Sequence, residues 1–252
     1  MIDMAALGRR YGSRVAVHPL TVIIPAGHVV GFLGANGAGK TTTLNMLATI
    51  LEPSEGTARV AGFDVRESPL EVRRHIGYVP EHAASYDGLT ADEHLELAAR
   101  IRGLPEATWR PRADRLLEHL GIAADRGRRL GSFSRGMRTK AVLAGALLHD
   151  PAVLLLDEPM NGLDVAAQAV LAALLRDLAN DGRTVVYSSH VLDQVERVCD
   201  YLLVIDHGRL LWHGDTQALL AEHAGASLSD IFLRITASHA GGTKPSWSAA
   251  KG

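Results

Sequence analysis

The chain of 252 residues contains a single cysteine, Cys199. It cannot close an internal disulfide, so the fold must hold by its core, and a small buried thiol in a reducing compartment such as the cytoplasm is the expectation. No apolar run reaches the roughly 18 residues that a membrane-spanning helix needs. The longest tract, AVLAGALL at 141–148, is broken by His149, Asp150 and Pro151 before AVLLL resumes, a pattern of helix, turn and buried strand. The start, MIDMAALGRRYG, lacks the charged opening and apolar centre of a signal peptide. Positive charge is not in excess either: 26 Lys and Arg against 28 Asp and Glu leave a net charge of −2, which provides no global footprint for neutralising nucleic-acid phosphates. No internal repeat occurs, and the length suits one large α/β domain or two small ones.

Against these absences stands GFLGANGAGKTTTL at 31–44. Its glycines free the backbone to turn its N–H groups inward, and the helix that follows adds a positive N-terminal end, so the stretch reads as an anion cradle. Gly34, Gly39, Lys40 and Thr41 fall at the spacing in which the lysine reaches β- and γ-phosphates and the threonine hydroxyl coordinates Mg²⁺. Before the cradle, residues 2–33 cluster β-formers into short strands parted by Pro25, Ala26 and Gly27. After it a helix is expected to about Ile50, a strand pair over 56–65, and a short strand in HIGYVPE that ends at the proline. Residues 82–150 then form a helical insert, opened by a capping box of Thr90 and Glu93 and carrying a 3.6-residue period to a stop at Gly121.

Strand and helix alternate again after the insert. AVLLLDEP is an apolar strand ending in two carboxylates, AAQAVLAALLRDLANDG a helix closed by glycine, and RTVVYSSH a second buried strand. YLLVIDHGRLLWHG reads as a hairpin turning at His207 and Gly208, and GDTQALLAEHAG as a short helix. The tail TASHAGGTKPSWSAAKG is small and polar, the composition of a disordered end. An acidic pair closing a strand is by itself as often a solvated pair. With Lys40 and Thr41 upstream, Asp157 can hold a metal and Glu158 can orient or deprotonate an attacking water. In SFSRGMRTK, Ser134 is an N-cap, Gly136 lets another molecule's phosphate approach, and Arg135 and Arg138 oppose the helix dipole at a cost that a bound anion would relieve.

GANGAGKT, FSRGM, VLLLDEP, NGLD and YSSH, in that order, resemble the ATP-binding subunit of an ABC transporter over about residues 1–220, leaving 221–252 as a C-terminal extension. The resemblance implies an α/β fold: a P-loop NTPase core with a mainly parallel sheet, an N-terminal antiparallel β subdomain and an inserted helical subdomain. It implies ATP and Mg²⁺ as ligands. Gly34, Ala35, Asn36, Gly37, Ala38, Gly39, Lys40, Thr41 and Thr42 would cradle phosphate, Tyr11 would stack on adenine, and Thr41 and Asp157 would hold Mg²⁺. Glu158 would be the catalytic base and His190 the switch histidine at the γ-phosphate. Asn161 to Asp164 match the loop that touches an opposite subunit, and in a head-to-tail dimer Ser134 and Gly136 of one copy would meet the nucleotide of the other. The other eleven histidines show no metal-ligand spacing.

Two positions depart from the family's commonest pattern. Glu81 replaces a glutamine, so an acid able to reach Mg²⁺ or the attacking water adds negative charge beside phosphate. FSRGM replaces LSGGQ and, with SYDGLTADEHLELAARIRGLP, resembles the branch exporting drugs, ions, lipids or polysaccharides. The expected partners are an integral membrane permease, a second copy or a paralogous subunit, and no nucleic acid, with the chain at the cytoplasmic face of the membrane. The competing class, an ABC ATPase acting on ribosomes or DNA, joins two such domains in one chain or carries a long coiled-coil insert, neither of which is present. A non-hydrolysing regulator would be expected to lack Glu158 or His190.

Overall fold

Residues 1–82, 86–223 and 225–239 are described in a computed structural model. Ile2–Tyr11 (β1) and Arg14–Ile24 (β2) pair antiparallel, with Tyr11 opposite Arg14 at the turn. Val29–Leu33 (β3) crosses to a second sheet and runs into the cradle, after which Lys40–Leu47 (α1) begins. Glu55–Val60 (β4) and Phe63–Asp64 (β5) return to the first sheet, whose order is β2-β1-β4-β5. The antiparallel layer therefore draws strands from both sides of the cradle, and α1 stops at Leu47, earlier than the expected Ile50.

Pro69–His75 (α2) precedes Ile76–Val79 (β6). The insert holds Ala91–Ile101 (α3), Glu106–His119 (α4) and Arg135–Leu147 (α5). Both halves of the expected capping box open α3: Thr90 Oγ1 accepts from the Glu93 amide at 3.2 Å, and Glu93 Oε2 accepts from the Thr90 amide at 2.7 Å. Val153–Asp157 (β7), Val165–Asn180 (α6), Thr184–Ser189 (β8) and Leu192–Val198 (α7) follow, then the hairpin of Tyr201–Asp206 (β9) and Arg209–Asp215 (β10), and finally Thr216–Glu222 (α8) and Leu228–His239 (α9). The helix α9 takes in the first four residues of the tail expected to be disordered, and residues 240–252 lie outside the described ones.

The second sheet has the order β10-β9-β3-β8-β7-β6. Its strands are parallel except for β10, which pairs antiparallel with β9. Covered on both faces, the parallel strands are mostly apolar, with polar residues such as Ser188, Ser189 and Asp157 gathered at their C-terminal ends. In β7, Leu154 and Leu156 join the core shared with the insert and α6, while Val153 and Leu155 join the core shared with α1 and the antiparallel sheet. Two separate apolar clusters thus hold the parallel sheet rigid between them. Its strands β3, β6, β7, β8 and β9 all end on the same edge, where sheets of this kind place their ligands.

Candidate active site

Each of these five parallel strands delivers a functional group at its C-terminal end. β3 leads into the cradle, β6 into Pro80 and Glu81, β7 ends in Asp157 before Glu158, β8 leads to His190 and β9 to His207. A cleft of about 660 Å³ collects them, except Asp157, which is buried behind its lining. Tyr11, Arg14, Lys40, Thr41, Thr42, Glu81, Glu158, His190 and His207 line it, together with Ala35, Asn36, Gly37 and Gly39.

Only glycine fits two positions of the cradle. A Cβ on Gly34 would fall 2.5 Å from the Ile205 carbonyl oxygen. Gly39 holds φ +107, and a Cβ there would lie 2.9 Å from the Ala16 carbonyl oxygen. Gly34 and Ala38 do not face the cleft: Ala38 is buried in the core, and its amide donates to the Ala35 carbonyl at 3.1 Å. Their place is in the shape of the loop. Lys40 is buried, and its Nζ donates to the Gly34 carbonyl at 2.6 Å and lies 3.4 Å from Glu158 Oε1. That ammonium is anchored by groups a phosphate could replace, while the first amides of α1 have no intrahelical acceptor.

Glu158 sits at φ +50, a conformation that costs a non-glycine residue about 1–3 kcal/mol. The backbone turn swings its carboxylate off the line of β7 into the cleft. His190 Nδ1 donates to Glu158 Oε2 at 3.0 Å, the direction being fixed because an ionised carboxylate can only accept. Ser188, which faces Asp157 across β7 and β8, ties the two acids together: its hydroxyl donates to Asp157 Oδ1 at 2.5 Å and accepts from the Glu158 amide at 2.9 Å. The sequence quotes this serine only as a letter of YSSH. Its role shows once the register of the two strands is known.

Asp157 is almost completely buried, and its Oδ2 has no hydrogen-bond partner. An orphaned carboxylate oxygen at that depth is costly unless a cation or donor completes it. The Asp157 carboxylate at the end of β7 and the Thr41 hydroxyl in the first turn of α1 are oxygen donors of the kind a hard divalent cation takes. Among the described residues no group of three or more His, Cys, Asp or Glu side chains could hold a metal ion by itself.

Tyr11 is 48% exposed at the cleft mouth, and the Arg9 guanidinium lies 4.8 Å from its ring centroid on one face. Ser134, Gly136 and Asp164 are not brought to this cleft. Ser134 caps α5, its Oγ accepting from the Met137 amide at 3.2 Å, as expected. Asp164 caps α6 through the Ala167 amide at 2.7 Å. Gly136 faces the 161–164 loop, where a Cβ would meet Leu163 Cδ2 at 3.1 Å. These residues lie together on a second surface apart from the cleft.

The family profile described as ABC transporter matches residues 17–161. The ABC transporter ATP-binding protein NatA of Bacillus subtilis (strain 168) is 36% identical over 238 residues, covering 92% of this chain and 97% of that one. The daunorubicin/doxorubicin resistance ATP-binding protein DrrA of Streptomyces peucetius is 40% identical over 234 residues, 93% of this chain and 69% of its own length. A solved structure of the ATP binding subunit of an ABC transporter superimposes with a TM-score of 0.87 at 30% identity, covering 94% of this chain and 99% of that one. The chain belongs to the ABC transporter family, as an ATP-binding and ATP-hydrolysing subunit. No helix among its described residues is long and apolar enough to cross a membrane.

Proposed function

We propose that the cleft binds MgATP, that Glu158 is the base of its hydrolysis, and that the energy drives export through an integral membrane permease on whose cytoplasmic face the subunit sits. The observation that carries this is the convergence of Lys40, Glu158, His190 and the unpartnered Asp157 Oδ2 on one edge of a rigid sheet. Tyr11 presents its free face to the adenine. Entering phosphate takes over Lys40, which gives up the Gly34 carbonyl and the Glu158 carboxylate. Glu158, released and held by His190, accepts the proton of a water in line with the γ-phosphate, and His190 keeps that carboxylate aimed. Thr41 and Asp157 would hold Mg²⁺, whose charge would offset that of the phosphates.

DrrA is named for drug resistance, and its likeness together with the FSRGM variant supports export as the direction. Ser134 and Gly136 lie away from the cleft of their own chain, which supports closure by a second copy or a paralogous subunit placed head to tail. Purification of the full-length protein from membranes tests the assignment: it should bring down an integral membrane protein whose transport requires ATP. Recovery of ribosomes or DNA in its place would favour the alternative class.

A further inference from the structure

Arg14 lies in a part of the cleft to which neither the sequence motifs nor the comparisons assign a role. It faces Tyr11 across the β1–β2 turn and lines the same cleft. Two residues on, along one strand face and about 7 Å away, Ala16 presses its carbonyl against Gly39 of the cradle. Arg14 therefore stands between the platform for the base and the loop for the terminal phosphates, where the ribose and α-phosphate of a bound nucleotide must pass. Its charge is also unspent. Lys40 is matched by Glu158 at 3.4 Å, whereas the Arg14 guanidinium has no carboxylate partner among the described residues. An arginine left uncompensated beside a polyphosphate site is a ready donor for charge-assisted hydrogen bonds.

We infer that Arg14 is a nucleotide-binding residue that grips the α-phosphate, shared by ATP and ADP, and draws nucleotide into the cleft by its charge. The inference rests on the assignment of the cleft to ATP. Because ADP retains the contact, Arg14 also slows release of product.

Calorimetric titration of the full-length protein with ADP tests it, comparing Arg14→Gln and Arg14→Lys with Lys40→Ala. Arg14 is exposed, so its variants should unfold thermally with the wild type. Arg14→Gln should weaken ADP binding roughly five- to tenfold, Arg14→Lys should restore most of it, and the affinity should fall less steeply with salt in Arg14→Gln than in the wild type. Unchanged ADP affinity in Arg14→Gln, failure of lysine to rescue, or an unaltered salt dependence would overturn the inference. If Lys40→Ala loses nucleotide in the same series, the cleft assignment survives that failure; if Lys40→Ala binds normally, the assignment itself falls.

Discussion

At the residue scale the site is a set of charges held short of their natural partners. Asp157 Oδ2 has no donor, Lys40 leans on a carbonyl and a carboxylate, and Glu158 occupies a strained backbone conformation. Such costs persist where a ligand removes them. Tyr11 differs, since its ring is half exposed and backed by Arg9, so Tyr11→Ala should weaken ATP binding by about 1–3 kcal/mol, as loss of a base stacked on an aromatic ring does, and leave the fold intact. Unchanged ATP affinity in a titration of the folded variant would remove the assignment. A second residue reports on stability. The imidazole of His149 is pushed down to about 4, first by burial and then by the charge of Arg102. Its folded value lies below the unfolded value of about 6.5, so its contribution is whole above pH 6.5 and is lost as the pH falls toward 4, where the unfolded chain binds the extra proton. In His149→Gln, urea midpoints should fall less than those of the wild type over that window; parallel curves would show that His149 does not titrate with unfolding. The cradle, both acids and the histidine could be read from sequence because their spacing is local. Arg14, Ser188 and His207 could not, because a strand register and two hairpins bring them to the cleft.

At the scale of elements, several helices carry their start signal in the sequence. Thr90 and Glu93 start α3, Ser134 starts α5 and Asp164 starts α6, all through short-range contacts written in the sequence. Removing the first, Thr90→Ala, should cost about 1 kcal/mol by urea denaturation while the isolated subunit's ATPase rate stays level. A large fall in that rate would mean that the cap positions the site as well as the insert. The short helices α2 and α7 escaped the sequence because seven residues give fewer than two full periods, and packing decides them. α9 escaped because small polar residues surround it, yet Phe232 and Ile235 pack on the main core. Glu81 stands where β6 gives way to the insert, in the cleft yet on the path to the helices. Glu81→Ala should therefore reduce transport more than basal hydrolysis when both are measured in vesicles containing the permease. Equal losses would make it a catalytic rather than a coupling residue.

At the scale of the whole molecule, one chain holds two incomplete halves. The cleft holds the cradle and Glu158 beside the buried Asp157 but not Ser134 or Gly136, which lie at the Ser134-capped N-terminus of α5 with Arg135 and Arg138 in its first turn. In the proposed head-to-tail pair, each cleft would be closed by the other copy's helix end, which would exclude water from the γ-phosphate. Glu158→Gln keeps the side-chain shape and would remove the proposed base while leaving ATP binding, so closed pairs should accumulate. The deciding measurement is light scattering of this variant, in complex with the permease where the isolated subunit associates too weakly, with and without MgATP, beside the same variant carrying Ser134→Arg. The account predicts an ATP-dependent dimer without phosphate release for Glu158→Gln and its return to monomers on adding Ser134→Arg. Normal hydrolysis by Glu158→Gln, or an ATP-dependent dimer undisturbed by Ser134→Arg, would contradict it.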